Sequence, residues 1–397
     1  MKITEIAGFV VKIGGEPYLG GHGTEAATMV RRGDYVKHQF YNLAYSLKTE
    51  SFLVRITTED GTVGWGEAQA PLVPEVASEL VQRLVGPFLL GKDVFDTAVH
   101  WSDSYNAMRD RGHLNGYQLD AIAACDIALW DLKGKLLGRS VSSLIGGRFH
   151  DPVPCYVSGL PVHDDAEAGE IAKGWLDKGF KDFKVALGRS VDADTRTFAA
   201  IREAVGDDSE IYVDAHWRYT VSEAIALGKK LEPMNLGFLE APIAAEDANG
   251  QAEIARSLTA PVAIGEELRT RYDFRERLEK RSADILQPDV GRMGVSETVA
   301  VASLAEAFNA QVALHLGVGL GVYIAAGIQV ASALSNLLTI EYQPRQFAIG
   351  CTLLQEPLQC VEGAYLIPDG PGNGILVNED VVNQYVTSQF TINAKDI

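Results

Sequence analysis

Polar residues follow short apolar runs at nearly constant spacing through the middle of the chain. The six positions are Asp214, Glu240, Glu266, Asp289, His315 and Glu341. Successive members lie 26 residues apart, except that 23 residues separate the third from the fourth. One strand and one helix of a parallel barrel take about that length, since eight such units need roughly 250 residues. The spacing therefore predicts that all six side chains meet at one end of a barrel, where barrel enzymes hold their chemistry.

The apolar runs themselves alternate with amphipathic helical stretches. Eight runs have the pattern of strands, at residues 155–157, 182–185, 211–213, 237–239, 262–264, 284–286, 312–314 and 337–340. Alternation of strand and helix predicts parallel strands, and eight of them predict a closed barrel. An open doubly wound sheet is the alternative, but no GxGxxG motif follows the first strand. Helix caps or loop residues would explain one or two of the six polar positions, but not all six in register.

The residues before the barrel pattern are of mixed type. Residues 52–56 and 62–67 are strand-like around a turn, and residues 116–138 carry apolar side chains at helical spacing. The regular pattern ends near Gln343, and the tail beyond it is rich in turn residues. The chain is therefore divided into an α+β unit at 1–150, a barrel at 151–345 and a segment at 346–397 that folds back on the first unit.

The composition is that of a globular protein with an acidic net charge. Of 397 residues, 47% are hydrophobic and 22% are charged, and 53 Asp and Glu against 35 Lys and Arg give a net charge of −18. This charge repels phosphate backbones and argues against nucleic-acid binding. No apolar run approaches the roughly 18 residues of a membrane helix, and the first residues lack the apolar core of a secretion signal. We expect a cytoplasmic protein without a membrane partner.

Three of the six polar positions are carboxylates that follow consecutive predicted strands, namely Asp214, Glu240 and Glu266. Like charges about 4 Å apart repel by several kcal/mol at intermediate dielectric, so this group needs a cation or must bind protons. Oxygen-only ligation without Cys or His favours Mg²⁺, which keeps coordination positions for water and substrate. The pattern therefore predicts a magnesium site.

The fourth and fifth positions, Asp289 and His315, follow neighbouring predicted strands, so their side chains can meet. A carboxylate beside an imidazole fixes the tautomer of the ring and raises its basicity. A lone histidine at a strand end is more often structural, but this one has a candidate partner beside a candidate cation site. The pair is therefore a candidate general base.

Short motifs occur in a fixed order along nearly the whole chain. They are EDG at 59–61, GWGE at 64–67, CDIALWDLKGK at 125–135, IGG at 145–147, VD at 213–214, LEAP at 239–242, GE at 265–266, QPD at 287–289, His315 and PGNG at 371–374. Each motif is weak alone, but in this order they make the chain resemble the mandelate racemase and muconate lactonising branch of the enolase superfamily. The resemblance implies a (β/α)₇β modified TIM barrel with an N-terminal α+β capping domain, assembled as a homo-oligomer.

The resemblance also implies roles for the residues at the strand ends. It implies Mg²⁺ ligands at Asp214, Glu240 and Glu266. It also implies that Asp289 and His315 form the catalytic base dyad and that Glu341 forms a hydrogen bond with the substrate carboxylate. Sites of this superfamily combine a Lys or His base with Mg²⁺.

The second strand departs from the family pattern. Many relatives carry Lys-x-Lys there, and the second lysine is a base on the opposite face of the substrate, whereas this chain has Lys184 followed by Val185 and Ala186. Ala186 cannot take a proton, while Lys184 can still donate to the substrate carboxylate. One-base elimination is therefore favoured over two-base racemisation.

A histidine two residues after Asp214 favours the same reaction. The segment Asp214-Ala-His216-Trp-Arg218 resembles the Asp-x-His-x-Arg of galactonate- and mannonate-type dehydratases, in which the histidine protonates the leaving hydroxyl. Alternation along a strand predicts that His216 faces the same side as Asp214, and a loop histidine is the alternative. Because the Asp289–His315 pair is kept, the closer resemblance is to galactonate-type enzymes.

These features together predict a Mg²⁺-dependent dehydratase that acts on a small-molecule sugar acid. In this hypothesis His315 removes the C2 proton, and Mg²⁺, Lys184 and Glu341 stabilise the enediolate. His216 then protonates the departing 3-hydroxyl, which gives a 2-keto-3-deoxy acid. The alternatives are a one-base epimerase or cycloisomerase, and a non-catalytic binding protein that keeps the fold. The sequence leaves open which five- or six-carbon aldonate or aldarate is used.

Three weaker features stay open at this point. The glycines of Gly317-Val-Gly-Leu-Gly321 lack a P-loop ending, and they either turn the chain or bring backbone close to substrate. A loop at 14–33 is either surface or a lid over the distal end of the substrate. The loop contains His22, Arg31 and Arg32, and the cation for a second carboxylate of the substrate could come from Arg31, Arg32, Arg109 or Arg111. The cysteines, which we expect to be buried free thiols, are Cys125, Cys155, Cys351 and Cys360.

Overall fold

An antiparallel sheet covered by helices forms the first part of the molecule in this computed structural model, which describes residues 1–15, 29–38, 43–160 and 165–396. The elements are β1 (Ile3–Ile13), β2 (Met29–Arg32), β3 (Tyr35–His38), β4 (Ala44–Ser46), β5 (Thr49–Thr58), β6 (Val63–Ala68), α1 (Glu75–Leu80), a π-helix (Val81–Val85), α2 (Gly86–Leu89), α3 (Thr97–Arg109), α4 (Tyr117–Leu137) and α5 (Val141–Ile145). Strands β1, β5 and β6 are neighbours in one sheet, and β2, β3 and β4 form a second. The predicted strands at 52–56 and 62–67 and the predicted helix at 116–138 are confirmed.

Helix α4 packs directly on β6 because that strand carries glycines on the helix side. A Cβ on Gly66 would lie 2.8 Å from the backbone nitrogen of Ala128, and a Cβ on Gly64 would lie 2.5 Å from Leu132 Cγ. Real Cβ atoms essentially never approach so closely, so larger residues would force the helix away from the strand. This close packing fixes the position of Glu67, which follows on the same strand.

Eight parallel strands close into a barrel in the second part of the molecule. They are β7 (Val153–Leu160), β8 (Asp182–Ala186), β9 (Glu210–Asp214), β10 (Leu236–Glu240), β11 (Val262–Ile264), β12 (Ile285–Leu286), β13 (Gln311–Leu314) and β14 (Leu337–Tyr342). Each strand pairs with the next in chain order, and β14 pairs with β7. Each predicted run overlaps one of these strands, so the barrel prediction is confirmed and the doubly wound alternative is wrong.

A helix follows each of the first seven barrel strands. These helices are α6 (Asp165–Leu176), α7 (Val191–Val205), α8 (Val221–Leu231), α9 (Ala248–Ser257), α10 (Arg271–Lys280), α11 (Val290–Ala307) and α12 (Gly321–Ser332), and a 3₁₀-helix (Glu232–Met234) extends α8. The sequence sets where they begin, since the side chains of Ser190, Thr220 and Thr270 each accept a hydrogen bond from the backbone N–H three residues on. These caps hold the loops that leave the carboxyl ends of the strands.

A layer of apolar side chains fills the barrel below its carboxyl ends. The buried cluster comprises Tyr156, Tyr212, Phe238, Ala263, Ile285 and Ala313. The rings of Tyr212 and Phe238 stack with their centroids 4.0 Å apart. Tyr212 lies two residues before Asp214, and Phe238 two before Glu240, so alternation points these carboxylates toward the barrel axis above the rings. The polar residues at the strand ends therefore sit on an apolar floor.

The last segment of the chain contacts both earlier parts. Its elements are α13 (Pro344–Cys351), β15 (Cys360–Val361), β16 (Ala364–Tyr365), α14 (Glu379–Tyr385), β17 (Val386–Asn393) and a 3₁₀-helix (Ala394–Asp396). Strand β16 pairs antiparallel with β7 of the barrel, and β17 pairs antiparallel with β1 of the first sheet. The domain boundaries near residues 150 and 345 stay a prediction.

Two general expectations concern cysteines and membranes. The four cysteines are free, but only Cys125 and Cys155 are buried, while Cys351 and Cys360 are half-buried. The expectation of buried thiols is therefore correct for two of the four. Among the helices of the described residues, none is long and apolar enough to cross a membrane.

Candidate active site

A cavity of about 130 Å³ opens at the carboxyl ends of the barrel strands. The sequence-predicted residues that line it are Lys184, Asp214, His216, Glu266, His315 and Glu341. Glu240 and Asp289 are 1% and 0% exposed and contact these lining residues from behind. The structure thus brings all eight predicted site residues together, and for the six at the strand ends this was expected from their common place in the repeating unit.

The imidazole of His315 is held by Asp289 on one side and faces carboxylates on the other. His315 Nδ1 lies 2.5 Å from Asp289 Oδ2, and the two residues pair in a parallel β-bridge. Nε2 lies 2.9 Å from Glu266 Oε2 and 3.5 Å from Glu341 Oε2. Burial acts to lower the pKa of His315, but Glu266 and Glu341 outweigh it and raise the pKa well above its ordinary value. Since Nδ1 is occupied by Asp289, Nε2 is the nitrogen that can exchange a proton with the cavity.

On the other side of the cavity, Lys184 lies among carboxylates. Its Nζ donates to both carboxylate oxygens of Glu240, at 2.8 and 3.0 Å, and lies 3.4 Å from Glu341 Oε1. Gln287 Nε2 donates to the second oxygen of Glu240 at 2.7 Å. Burial acts to lower the pKa of Lys184, but Glu240 and Glu341 outweigh it and raise the pKa. The ammonium is therefore kept charged inside the protein.

The three predicted metal ligands lie close enough to affect one another. Asp214 and Glu240 are register partners of adjacent strands, and burial raises the pKa of each to about 7, with Glu266 adding to both shifts. Burial opposes ionisation of Glu266 as well, but His315 outweighs it and lowers that pKa. The three groups therefore form a cluster, buried at Asp214 and Glu240 and half-buried at Glu266, whose negative charge is only partly compensated.

The same three carboxylates are turned toward protein partners. Glu240 accepts from Lys184, Glu266 contacts His315, and the backbone N–H of His216 donates to Asp214 Oδ1 at 2.9 Å. Within the described residues, no group of three or more His, Cys, Asp or Glu side chains is arranged to hold a metal ion. The donor set nevertheless fits Mg²⁺, because buried, oxygen-only carboxylates from consecutive strands are the ligands that this ion prefers.

His216 reaches the cavity by a route that strand alternation does not describe. Strand β9 ends at Asp214, and His216 and Trp217 adopt left-handed backbone conformations with φ of 48° and 55°. The premise that His216 continues the alternation of the strand is therefore wrong. The side chain still lines the cavity, with Nδ1 3.2 Å from Asp214 Oδ1, and burial lowers its pKa.

The predicted departure on the second strand is visible in the cavity wall. Ala186 lines the cavity and contributes a methyl group where many relatives, by the resemblance above, carry a basic side chain. The imidazoles that line the cavity therefore belong to His315 and His216, while the wall at the end of β8 carries Lys184 and Ala186.

Sequence reasoning missed several residues of the site, of which Arg292 carries the most charge. Arg292 lines the cavity, its Nε donates to Gln69 Oε1 at 2.8 Å, and its guanidinium donates to the carbonyl of Glu266. It lies in the first turn of α11, three residues after Asp289, and that proximity was the available signal. Tyr45 also lines the cavity, from β4.

The arginines proposed to meet a second carboxylate do not reach this cavity. Arg31, Arg32, Arg109 and Arg111 are exposed and are absent from the described residues that line it. His22 and most of the 14–33 loop lie outside the described residues. Among the residues that the structure describes, the lysine and arginine side chains that face the cavity are Lys184 and Arg292.

Several known proteins are similar to this chain over most of its length. D-galactarolactone cycloisomerase of Agrobacterium fabrum is 38% identical, over 84% of this chain and 90% of that protein. Arabinonate dehydratase of Saccharolobus solfataricus is 30% identical, over 85% of this chain and 90% of that protein. These relatives include both an isomerase and a dehydratase of acid sugars.

Solved structures of similar proteins support the same grouping. A member of the enolase superfamily from Agrobacterium tumefaciens has a TM-score of 0.92 at 35% identity, covering 98% of this chain and 99% of its own. A racemase from Streptomyces coelicolor A3(2) with bound magnesium has a TM-score of 0.83 at 26% identity, covering 97% of this chain and 100% of its own.

Family models match both parts of the chain. Residues 36–146 match the mandelate racemase and muconate lactonizing enzyme N-terminal domain, and residues 167–381 match the enolase C-terminal domain-like model. Members of this superfamily bind Mg²⁺, and the resemblance inferred from the sequence motifs is confirmed. The chain belongs to the mandelate racemase and muconate lactonizing enzyme family of the enolase superfamily.

Proposed function

We propose that this protein is an acid-sugar dehydratase, which removes the C2 proton of a 2,3-dihydroxycarboxylate and eliminates the 3-hydroxyl as water. The observation that carries the proposal is the placement of His315. Its Nδ1 is bound by Asp289 at 2.5 Å, and its Nε2 points into the cavity, while Ala186 lines the cavity at the end of β8 without a titratable group. One base on one side of the substrate suits elimination better than racemisation, which needs proton transfer on both faces.

The residues divide the work of this reaction. Asp214, Glu240 and Glu266 would hold Mg²⁺, which when bound neutralises the negative charge that develops on the substrate carboxylate. Lys184, whose Nζ lies 3.4 Å from Glu341 Oε1, would donate a hydrogen bond to the same carboxylate, and Glu341 would donate a second one when its own carboxyl group carries a proton.

The bond changes balance with two proton-transfer groups. Glu266 and Glu341 favour a proton on His315 in the metal-free protein, and Glu266 would lose that effect as a ligand of Mg²⁺, so that Nε2 can accept a proton. His315 Nε2 then takes the C2 proton, and the C2 electron pair forms the double bond as the bond between C3 and its oxygen breaks. A protonated His216 gives its proton to that oxygen, so that water leaves. The enol then takes a proton at C3 and becomes a 2-keto-3-deoxy acid.

A second candidate function is supported by the 38% identity to a galactarolactone cycloisomerase. There, the same C2 proton abstraction would be followed by breaking of a ring carbon–oxygen bond of an aldarolactone, and the product would have the mass of the substrate. Both candidates use His315 in the same way, and they differ in the leaving oxygen. In the dehydratase it is the 3-hydroxyl, and in the cycloisomerase it is the ring oxygen.

The test is a panel of acid sugars incubated with the Mg²⁺-loaded enzyme in D₂O. The panel holds arabinonate, galactarolactone and further five- and six-carbon aldonates and aldarates, analysed by NMR and mass spectrometry. A dehydratase gives a product one water lighter than the substrate, and a cycloisomerase gives an isomer. Exchange at C2 without either product would support epimerisation instead.

Two controls belong to this experiment. Chelation of the metal should abolish turnover, and added Mg²⁺ should restore it. A complete lack of C2 exchange on every member of the panel would contradict the proposed function and favour a non-catalytic binding protein.

A further inference from the structure

A buried tyrosine hydroxyl contacts the same carboxylate oxygen that holds His315. The hydroxyl of Tyr323, in α12, donates to Asp289 Oδ2 at 2.9 Å and lies 3.3 Å from the carbonyl oxygen of His315. Asp289 Oδ1 accepts a separate hydrogen bond from the backbone N–H of Gly291 at 2.8 Å. Both carboxylate oxygens of Asp289 are therefore fixed by donors other than the imidazole that they serve.

The ring of Tyr323 is held at both edges by glycine backbone. A Cβ on Gly291 would lie 2.7 Å from Tyr323 Cδ2, and a Cβ on Gly319 would overlap the opposite edge of the ring. Any larger residue at either position would displace the tyrosine ring. The plane of the ring, and hence the position of its hydroxyl, is set by two separate segments of the barrel mouth.

The neighbouring glycine makes similar room for the histidine. A Cβ on Gly317 would lie 2.5 Å from His315 Cε1 and 2.6 Å from His315 Nε2. Gly317 and Gly319 therefore pack against the rings of His315 and Tyr323, whereas Gly321 packs against Gly350 and Leu354. This accounts for a motif that the sequence alone left open.

The helix turn that carries Tyr323 is anchored from the first part of the molecule. Glu67, at the end of β6, accepts hydrogen bonds from the backbone N–H groups of Leu320 at 2.6 Å and Tyr323 at 2.9 Å. Ser51 donates to the same carboxylate at 2.8 Å. A carboxylate suits this place, since the N-terminus of a helix carries partial positive charge and unpaired N–H groups. Glu67 thus connects the N-terminal sheet to the turn that holds Tyr323.

We propose that Tyr323 is a positioning residue for proton transfer, which fixes Asp289 so that His315 keeps Nδ1 on the carboxylate and Nε2 directed at the substrate. The proposal rests on the proposed function of His315 as the base. Loss of the hydroxyl leaves the imidazole of His315 as the hydrogen-bond partner of Asp289 Oδ2 among the described residues, and the dyad gains freedom to rotate. Turnover then falls because fewer encounters have Nε2 in line with the C2 proton.

The first test is the substitution Tyr323→Phe, which keeps the ring and removes the donor. Hydrogen bonds to charged groups correspond to roughly 10- to 100-fold in rate, and we expect kcat for C2 exchange in D₂O to fall by about that factor. The probe is arabinonate or galactarolactone, whichever the enzyme turns over. KM should stay within about twofold, because Tyr323 does not line the cavity.

The matched control is Tyr365→Phe. Tyr365 is equally buried and also loses a hydroxyl that donates to oxygen, in this case the backbone carbonyl of Glu341 at 3.1 Å. We expect a similar change in thermal stability for both variants, but a large fall in kcat for Tyr323→Phe alone. A fall in kcat of the same size in both variants would overturn the proposal, because it would indicate a general cost of losing a buried hydroxyl.

The second test observes the dyad without substrate. A hydrogen bond as short as the 2.5 Å contact between His315 and Asp289 gives a far-downfield proton NMR signal, which His315→Asn should remove. Tyr323→Phe should shift this signal, since the shared oxygen loses its second donor. An unmoved signal, or a kcat within twofold of the native enzyme, overturns the proposal. If His315→Asn keeps native C2 exchange, the proposed function fails, while the signal in Tyr323→Phe still decides whether the hydroxyl positions the imidazole.

Discussion

The two sides of the cavity differ in what they can do with a proton. At the end of β13, His315 is backed by Asp289 and Tyr323, and one of its nitrogens faces the cavity. At the end of β8, Lys184 is 4% exposed and held between Glu240 and Glu341, and Ala186 has no titratable group. One side presents an imidazole held by a carboxylate, and the other keeps a positive charge in a fixed place.

The local sequence explains how each side is built. Glycines surround the β13 end, so that two aromatic side chains fit against backbone without a gap. The β8 end relies on charge, because Lys184 Nζ lies 5.5 Å from the centre of the Tyr156 ring and bonds to carboxylates above it. Close packing at the β13 end leaves His315 little room to move, and proton transfer requires such a fixed position of the base.

The largest effect should come from comparing His315→Asn with Ala186→Ser. We expect the His315 variant to lose both C2 exchange and product formation by about 10²- to 10⁴-fold, since no second base is available. Ala186→Ser should stay within a few-fold of the native rate. The rates are measured by NMR in D₂O with Mg²⁺ present, and equal losses in both variants would contradict the one-sided assignment.

The next effect separates the two histidines. His216→Asn should lower dehydration by about 10²- to 10⁴-fold, because the leaving hydroxyl lacks its proton donor, while C2 exchange by His315 continues. Metal content must be measured in the same sample, since the backbone of His216 donates to the predicted ligand Asp214. Native dehydration by a metal-loaded variant would remove the general-acid role and reopen the epimerase alternative.

A smaller effect on catalysis should follow from removing the charge at the β8 side. Lys184→Met keeps the length of the side chain but removes hydrogen bonds to Glu240, and we expect KM to rise roughly 10- to 100-fold. Without metal, breaking a buried ion pair should lower the free energy of unfolding by about 3–5 kcal/mol.

The control for this charge is a lysine on the surface. Lys230 pairs with Asp192 at 2.6 Å, but both side chains are exposed. Lys230→Met should therefore change stability by no more than about 1 kcal/mol and leave KM unchanged. The two variants are compared by denaturant unfolding and steady-state kinetics. Equal changes in stability and KM for Lys184→Met and Lys230→Met would contradict the role of Lys184 in binding the substrate carboxylate.

Much of this site could be predicted from the sequence because a polar residue marks the end of each apolar strand. A polar residue that interrupts a buried apolar run, repeated at intervals of 23 or 26 residues, predicts both the barrel and the place of Asp214, Glu240 and His315. The packing inside the site could not be predicted in the same way. The hydrogen bond from Lys184 to Glu240 depends on side-chain rotamers that are selected only when strands β8 and β10 are in place.

The structural environments of two residues could not be predicted from the periodicity of apolar residues in the sequence. Tyr323 lies in a stretch of α12 that is buried on every side, so its sequence context is that of an ordinary core residue. His216 follows a strand, but a left-handed turn begins directly after Asp214 and alternation no longer applies. In both cases the function depends on one hydrogen bond or one backbone conformation, and neither leaves a repeating pattern.

The last expected effect is on stability, and it tests the link between the β13 side and the N-terminal sheet. Burial raises the pKa of Glu67 from 4.5 to about 7, against hydrogen bonds from Tyr323, Ser51 and Leu320 that act to lower it. The folded state therefore binds this proton more tightly than the unfolded chain does. Its contribution to stability is complete below about pH 4.5 and is lost as pH rises toward 7.

The corresponding experiment is denaturant unfolding of Glu67→Gln at several pH values. A pKa shift of this size corresponds to a fall of on the order of 3 kcal/mol in the free energy of unfolding between mildly acidic and neutral pH. The native protein should show this fall, and Glu67→Gln should not. Glu253→Gln, an exposed helix position, should keep the native pH dependence. An unchanged pH dependence in Glu67→Gln would show that this carboxylate is already ionised in the folded protein. The anchor of α12 would then be a permanent charge at the helix N-terminus, and acid rather than neutral pH would weaken the β13 side of the cavity.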